Sequence, residues 1–412
     1  MISKSLEDLP GEIALVHEWF APRSVGGSEQ VVEAIDKLLF GLGSSVQLIS
    51  LVDGESTREE SWLFGRPVKT SFVQHLPFGK SHVQNYLPLL PFAIEQIEVG
   101  EYPLVISSSH LVGKGVLTSP DQLHVSYVHT PVRYAWDQMS IYLSGNSKLK
   151  RLMEPLIRWY LHHLRQWDQL SASRVDCLFA NSRFTARRIS RYWGRDAKVI
   201  HPPVSVERFR WDQSREDYYL CLGRLVPNKR VDLVVRAFSE LELPLVIVGD
   251  GPERHSLESI AGPTIKFLGR QTIKQVEDLM EHCRAFVYGG VEDFGIAPVE
   301  AMAAGAPVIG FGRGGLLDTV RCASSGCKSP TGLLFKEQTS RSLLQAVEWF
   351  EDSRQWKRFS SESLRIWANR FSVESFHARF ESALRKVWQE HQTSCAVASS
   401  DPGDLPALLE WD

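Results

Sequence analysis

Three observations predict an α/β fold made of two parallel-sheet domains. Short apolar runs of strand length alternate with amphipathic stretches along most of the chain. Glycine turns stand between run and helix, at Gly26-Gly27 and twice within Tyr288 to Val320. The length, 412 residues, exceeds one typical core and suggests two.

Composition narrows the class. Hydrophobic residues make up 43% and charged residues 23%, an ordinary globular balance. The net charge of −3, from 46 Lys+Arg against 49 Asp+Glu, argues against bulk nucleic-acid binding. Six cysteines form no C-x-x-C pair, and Cys322 and Cys327 have no histidine near them, so they read as loop thiols rather than metal ligands. The opening MISKSLEDLPGE is polar and acidic, unlike a signal peptide, and no apolar run reaches membrane-spanning length. A reduced, cytoplasmic protein is the expectation.

In chain order, EIALVHEWF (Glu12 to Phe20) starts as a buried strand. Gly26-Gly27-Ser28-Glu29 opens an amphipathic helix through Phe40, which makes the turn a natural ligand seat or a plain tight turn. Val46 to Val52 reads as a strand and Asp53 to Lys69 as surface connection. NYLPLLPFAIEQI is apolar but broken by Pro88 and Pro91, which suits core or a docking surface. Leu104 to Ser107 and Val125 to His129 are strands, the second ending on YVHTPVRYAWD. Ser147 to Gln169 reads as a basic amphipathic helix, with Lys148, Lys150, Arg151, Arg158 and Arg165. Such a face suits anionic lipid or plain solvent equally well. Val175 to Asn181 is a strand, Ser182 caps the next helix, and Pro202-Pro203 closes the domain. A hinge is expected near Asp212 to Glu216.

The second series starts at Tyr218. A strand leads to a turn carrying Arg224 and Lys229, two cations placed to meet a diphosphate, although solvated loop cations have the same pattern. Leu245 to Val248 and Ile265 to Leu268 are further strands. Tyr288 to Val320 then reads YGGVEDFGIAPVEAMAAGAPVIGFGRGGLLDTV, with a helix begun at Pro298 and stopped at Gly305, a strand at Ala306 to Ile309, and a helix from Leu316. Helix-end amides reached through glycine make a phosphate seat. Glu292 and Glu300, eight residues apart, suit sugar hydroxyls beside it, or else a helix start and a solvated acid. Thr331 to Phe335 is the last strand. Thr339 to Phe350, Asp352 to Ala368 and Ser372 to Gln389 are helical, and Thr393 to Asp412 is a loosely ordered tail.

These strings together resemble the retaining GT-B glycosyltransferases of family four. The E-x7-E signature falls on Glu292 and Glu300, the G-R-x-x-x-x-K element on Arg224 and Lys229, and YVHTPVRYAWD resembles bacterial mannosyltransferases of O-antigen and exopolysaccharide synthesis. One departure is Asp293, where the family commonly has a small residue.

The resemblance implies a GT-B fold of two Rossmann-like domains facing across a cleft. Residues 1–210 would form the acceptor domain, joined by a crossing helix over 372–390, and 211–371 the donor domain. It implies that Glu292 and His129 meet the donor hexose and Glu300 the ribose. Gly26, Gly27 and the amides of Phe294, Gly295 and Ile296 would face sugar and diphosphate, with Arg224 and Lys229 offsetting the leaving charge. Arg133, Trp136 and Asp137 would serve acceptor or sugar contacts.

No metal or cofactor is implied beyond a nucleotide-sugar co-substrate, with GDP-mannose first and UDP-sugars as the alternative. Attack is from the front face, the donor phosphate taking the acceptor proton. The acceptor would be a saccharide or lipid-linked saccharide, reached by a protein peripheral at the inner membrane face. A rival class comes from Gly310-Phe311-Gly312-Arg313-Gly314-Gly315 with Glu337 beyond it, which fits a dinucleotide fingerprint of an NAD-dependent oxidoreductase.

Overall fold

The structure is a computed structural model that describes residues 8–21, 26–139 and 148–398. Two all-parallel sheets organise it. The first holds β1 (Glu12–His17), β2 (Ser45–Ser50), β3 (Val68–Thr70), β4 (Leu104–Ser109), β5 (Leu123–Val128), β6 (Cys177–Ala180) and β7 (Lys198–Val199), in the order β3-β2-β1-β4-β5-β6-β7. The second holds β8 (Tyr219–Leu222), β9 (Leu245–Val248), β10 (Ile265–Gly269), β11 (Ala285–Tyr288), β12 (Val308–Phe311) and β13 (Gly332–Phe335), in the order β10-β9-β8-β11-β12-β13. Helices cover both faces, so central strands such as β4, β5 and β11 are buried along their whole length. That is why β11 reads as an unbroken apolar run rather than as alternation, whereas β4 ends on three buried serines and β5 carries a buried His124 and Ser126.

Each sheet reverses its strand order once, between β1 and β4 and between β8 and β11. At such a reversal the loops leaving neighbouring strands diverge to opposite faces and open a crevice. The Gly26-Gly27 turn follows β1, and the Glu292 turn follows β11. Two of the three glycine turns of the sequence therefore sit at crevices, and the third, Gly310 to Gly315, lies at β12 beside the reversal.

Local chemistry sets the helix ends. Ser182 accepts a hydrogen bond from the Thr185 amide, and Thr272 with Gln275 forms a reciprocal capping box. The helix expected to begin at Pro298 begins at Ile296 and runs to Ala303, behind Gly295 at φ +94°, a backbone only glycine adopts without strain. Pro298 is tolerated because its missing N–H falls in the first turn.

The last helix, Val373–Ala398, returns to the first domain. Phe376, Phe380, Leu384 and Trp388 complete a core with Leu15, Val32, Leu39 and Phe179. It outruns the expected end at Gln389 and takes in the start of the expected tail. Residues 399–412 lie outside the described residues.

The basic helix spans Lys148–Ser173 and contains Pro155. Ser147 and the side chains of Lys148, Lys150 and Arg151 lie outside the described residues. Arg158 is paired with Glu154 at 2.7 Å, and Arg165 turns inward to the Ala135 carbonyl at 2.8 Å. Leu152, Leu156 and Trp159 are exposed beside them, so the described part of this face is more apolar than basic. Among the described residues no helix is long and apolar enough to cross a membrane.

Candidate functional site

Between the two sheets lies a cleft of ≈ 1190 Å³. Its walls include Gly26, Gly27, His110, His129 and Arg133 from the first domain, and Arg224, Lys229, Tyr288, Glu292, Phe294, Gly295 and Ile296 from the second. Of the residues expected at donor sugar, ribose and diphosphate, all but Glu300 are among its lining; Arg133, expected at acceptor or sugar, lines it too.

On the second wall, β11 ends at Tyr288 and aims it at Glu292. The Tyr288 hydroxyl donates to Glu292 Oε1 at 2.5 Å, and the Lys229 ammonium pairs with the same oxygen. Burial pushes the Glu292 carboxyl up, but Lys229, Tyr288 and Arg133 outweigh it and hold the group below its usual range. Burial and the Glu292 carboxylate together push the Tyr288 phenol well up, so it stays a donor. Glu292 therefore stays ionised and leaves Oε2 for a ligand hydroxyl. Its backbone is fixed from behind: the Gly315 amide donates to the Glu292 carbonyl at 2.8 Å.

The fingerprint Gly310 to Gly315 is spent on this support. Gly310 lies inside β12, and Gly315 packs so closely on Phe294 that an added Cβ would fall 2.2 Å from its carbonyl oxygen.

Glu300 sits behind the cleft, 8% exposed, on the buried side of the helix Ile296–Ala303. It belongs to the second turn rather than the first. Burial raises its pKa, and Arg208, at 2.6 Å, opposes this.

On the first wall, His129 follows β5. Its Nε2 lies 2.8 Å from the Ser108 hydroxyl, and its carbonyl accepts from the Asn181 amide at 2.9 Å. Burial, reinforced by His110 and His17, lowers its pKa to about 3, so it meets the cleft as a neutral imidazole. Gly27 comes close to the other domain: a Cβ there would lie 2.6 Å from Ile296 Cδ1.

Trp136 and Asp137, expected at acceptor or sugar, face elsewhere. The Trp136 indole N–H donates to Asp168 at 2.8 Å and its ring stacks on Tyr192 at 4.6 Å. Asp137 accepts from Arg188 at 2.6 Å.

Sequence reasoning missed the bonds between the walls. Asp293 is held by Arg188 at 2.9 Å and by Arg133 at 3.3 Å. Asp318 is held by the Arg183 side chain and backbone at 2.7 Å and by His201 at 3.3 Å. The only sequence signal for the first was the acid at Asp293 where a small residue is usual.

The comparisons agree with this architecture. The model for "Glycosyltransferase Family 4" matches residues 25–208, and that for "Glycosyl transferases group 1" matches residues 206–366. A GDP-mannose-dependent alpha-mannosyltransferase of Mycobacterium tuberculosis is 32% identical over 180 residues, 42% of this chain and 47% of the relative. The chain spans between 47% and 63% of the length of curated relatives that it matches in sequence. Among solved structures, sucrose-phosphate synthase from Thermosynechococcus elongatus superposes with a TM-score of 0.67 at 18% identity, over 92% of this chain and 99% of that one. The Anabaena protein HepE, solved in complex with UDP-glucose, superposes with a TM-score of 0.63 at 17% identity, over 91% and 99%. At those identities the likeness establishes the fold. Each half of the chain thus matches a glycosyltransferase family model, residues 25–208 the family 4 one and residues 206–366 the group 1 one, and the two halves make a single GT-B fold.

Proposed function

We propose that the protein transfers a hexose, best read as mannose from GDP-mannose, to a hydroxyl of a saccharide or lipid-linked saccharide, with retention, in cell-surface polysaccharide synthesis. The observation that carries this is the Lys229–Glu292–Tyr288 cluster on one wall facing His129 on the other. An ionised carboxylate with one oxygen open suits a pair of sugar hydroxyls. A neutral imidazole opposite it can donate or accept without attracting a second anion. Arg224 and Lys229, with the amides at the start of the helix Ile296–Ala303, offer fixed positive charge where a diphosphate would leave. No side chain here needs to form a bond to the sugar, and front-face attack accounts for retention.

Mannose rests on the match to the mycobacterial GDP-mannose-dependent enzyme and on the string YVHTPVRYAWD. A lipid-linked acceptor is supported by the cleft's apolar arm. Leu87, Pro88, Met153, Leu156, Ile157 and Tyr160 line the same cleft as Glu292, and Leu152 and Trp159 on that helix are exposed. The enzyme would then work at the cytoplasmic membrane face, and pelleting with anionic liposomes tests it. A pellet that carries no protein at low salt would remove the lipid-linked acceptor.

A thermal-shift panel of GDP-mannose, GDP, UDP-glucose, UDP and NAD tests the donor. A ligand at a hundredfold its Kd stabilises the fold by roughly 2.7 kcal/mol. Shifts with GDP and GDP-mannose are expected. A shift with the uridine compounds alone would replace mannose as donor, and one with NAD alone would overturn glycosyl transfer.

A further inference from the structure

Two stretches of the first domain carry cations and no acid. None occurs between Glu60 and Glu95, nor between Asp137 and Glu154, while Lys80, Lys148, Lys150 and Arg151 fall inside those stretches. The acids that close them are matched: Glu95 pairs with Arg174 at 2.7 Å and Glu154 with Arg158 at 2.7 Å. The stretches meet where the Tyr160 hydroxyl donates to the Leu87 carbonyl at 2.9 Å, and both pack on the same core against the sheet. Toward solvent they expose Leu89 and Phe92 on one side and Leu152, Leu156 and Trp159 on the other. The run NYLPLLPFAIEQI thus divides, with Leu90, Ala93 and Ile94 turned into the core.

Phe78 lies in the first stretch, 77% exposed and at φ +57°, a backbone that strains a bulky side chain. The turn around it is tied on both sides. The Phe78 carbonyl accepts from the His82 amide at 2.8 Å and the Pro77 carbonyl from the Tyr86 hydroxyl at 2.6 Å. Gly79 lies so near Val73 that a Cβ would fall 2.1 Å from its carbonyl oxygen. At that exposure, packing within the protein offsets little of the strain, yet the ring is held outward.

We propose that this face docks on an anionic lipid surface, with Phe78 entering the boundary between headgroups and acyl chains. This deepens the reading of a lipid-linked acceptor and rests on it. The two acid-free stretches match lipid phosphates in sign. The apolar arm of the cleft, with Leu87, Pro88, Met153 and Leu156, is lined from the same two stretches. The lipid part of an acceptor can therefore pass from bilayer to cleft along apolar side chains while its sugar reaches Glu292. A second copy is the poorer occupant, because a two-fold contact would set like charge against like charge.

The test is co-sedimentation of the full chain with vesicles of phosphatidylglycerol and phosphatidylcholine in equal parts, and of phosphatidylcholine alone. Wild type should pellet with the first and far less with the second, and salt should weaken it. Phe78→Asn removes the ring and suits the left-handed backbone, so the melting temperature should hold or rise. Its vesicle Kd should weaken roughly tenfold or more. Transfer from GDP-mannose to octyl α-mannoside, which needs no bilayer, should match wild type. Phe40 is the control: it is equally exposed, at 77%, on the helix Gly27–Gly41 against the opposite face of the sheet, and Phe40→Asn should leave vesicle binding as it was.

Pelleting that survives Phe78→Asn overturns the docking face and keeps the lipid-linked acceptor, and an equal loss in both variants overturns it too. A wild-type dimer that Phe78→Asn dissolves, with no vesicle binding, assigns the face to a second copy instead. A wild type that shifts with no nucleotide overturns the glycosyl-transfer reading, and the acceptor role of this face with it.

Discussion

The two walls of the cleft stand at equivalent places, beside the order reversal of each sheet, yet they handle polarity in opposite ways. The first wall buries it: Ser107, Ser108, Ser109, Ser126, His17, His124 and Glu18 all lie within 2% exposure, towards the carboxyl ends of β1 and β4 and along β5. The second wall keeps its strands apolar, with Tyr219, Leu220, Ala285, Phe286 and Val287 fully buried, and places Lys229 and Glu292 only on the loops beyond. A buried polar group is affordable when it is neutral or fully bonded, whereas a charge is cheaper at the strand end, where a ligand can meet it. The first wall therefore orients, and the second supplies charge.

The hardest break is at the first domain's buried ion pair. Lys114 is 1% exposed, and its ammonium meets Asp168 at 2.6 Å, while Trp136 and Trp193 donate to the other carboxylate oxygen at 2.8 Å. Asp168→Ala strands a cation and two indole N–H groups and should cost about 3–5 kcal/mol in urea unfolding. A loss under 1 kcal/mol would mean that the ammonium reaches water.

The matching break on the second wall should cost activity instead of stability. Lys229→Ala should lower kcat by about 10²–10³, or roughly 2.7–4 kcal/mol, and leave the melting temperature within a few degrees. Near-normal transfer would contradict the charge role of that wall.

The contrast also predicts acid sensitivity. Burial lowers the His124 pKa to about 3, so the native state stays neutral there while the unfolded chain binds a proton below its ordinary value near 6.5. The unfolded state then holds more protons, and stability falls as pH falls from 6.5 towards 3. By pH 5 this one group contributes a loss of about 2 kcal/mol. In His124→Gln, whose amide can still reach the Ser107 hydroxyl, stability should fall less steeply over that window. An unchanged slope would place the acid sensitivity elsewhere.

The smallest effect sharpens how the walls meet. Asp293→Asn weakens the links to Arg133 and Arg188, while Arg188 keeps Asp137 and Thr130. A cost of about 1–2 kcal/mol to the closed arrangement is expected. It should show as a larger radius of gyration without nucleotide in small-angle scattering. An unchanged radius would leave Asp318 with Arg183 and His201 as the sufficient tie.

Much of this was legible in the sequence because parallel sheets buried on both faces leave continuous apolar runs, and because glycine turns mark where they end. The cleft side chains Lys229, Glu292 and His129 were legible by resemblance, since their surrounding strings are specific. Arg188 with Asp293 and Glu18 with the loop at His110 were not, because each joins residues about ninety or more apart and no local pattern encodes the contact. Glu300 shows a further limit. Spacing put it near Glu292, but a helix turn and Arg208 decide which way it faces.

The returning helix Val373–Ala398 has a consequence for synthesis on the ribosome. The first domain's core includes Phe376, Phe380 and Trp388, and the Trp388 indole N–H donates to the Asp8 carbonyl at 3.0 Å. When the strands through Val199 have emerged, one face of that core still lacks its cover. At about 5–20 residues per second, the missing turns follow roughly 10–40 s later. In that interval Leu15, Val32 and Leu39 lack those partners, so the nascent chain passes through a stage that a holding chaperone can recognise, although the finished protein covers the same surface.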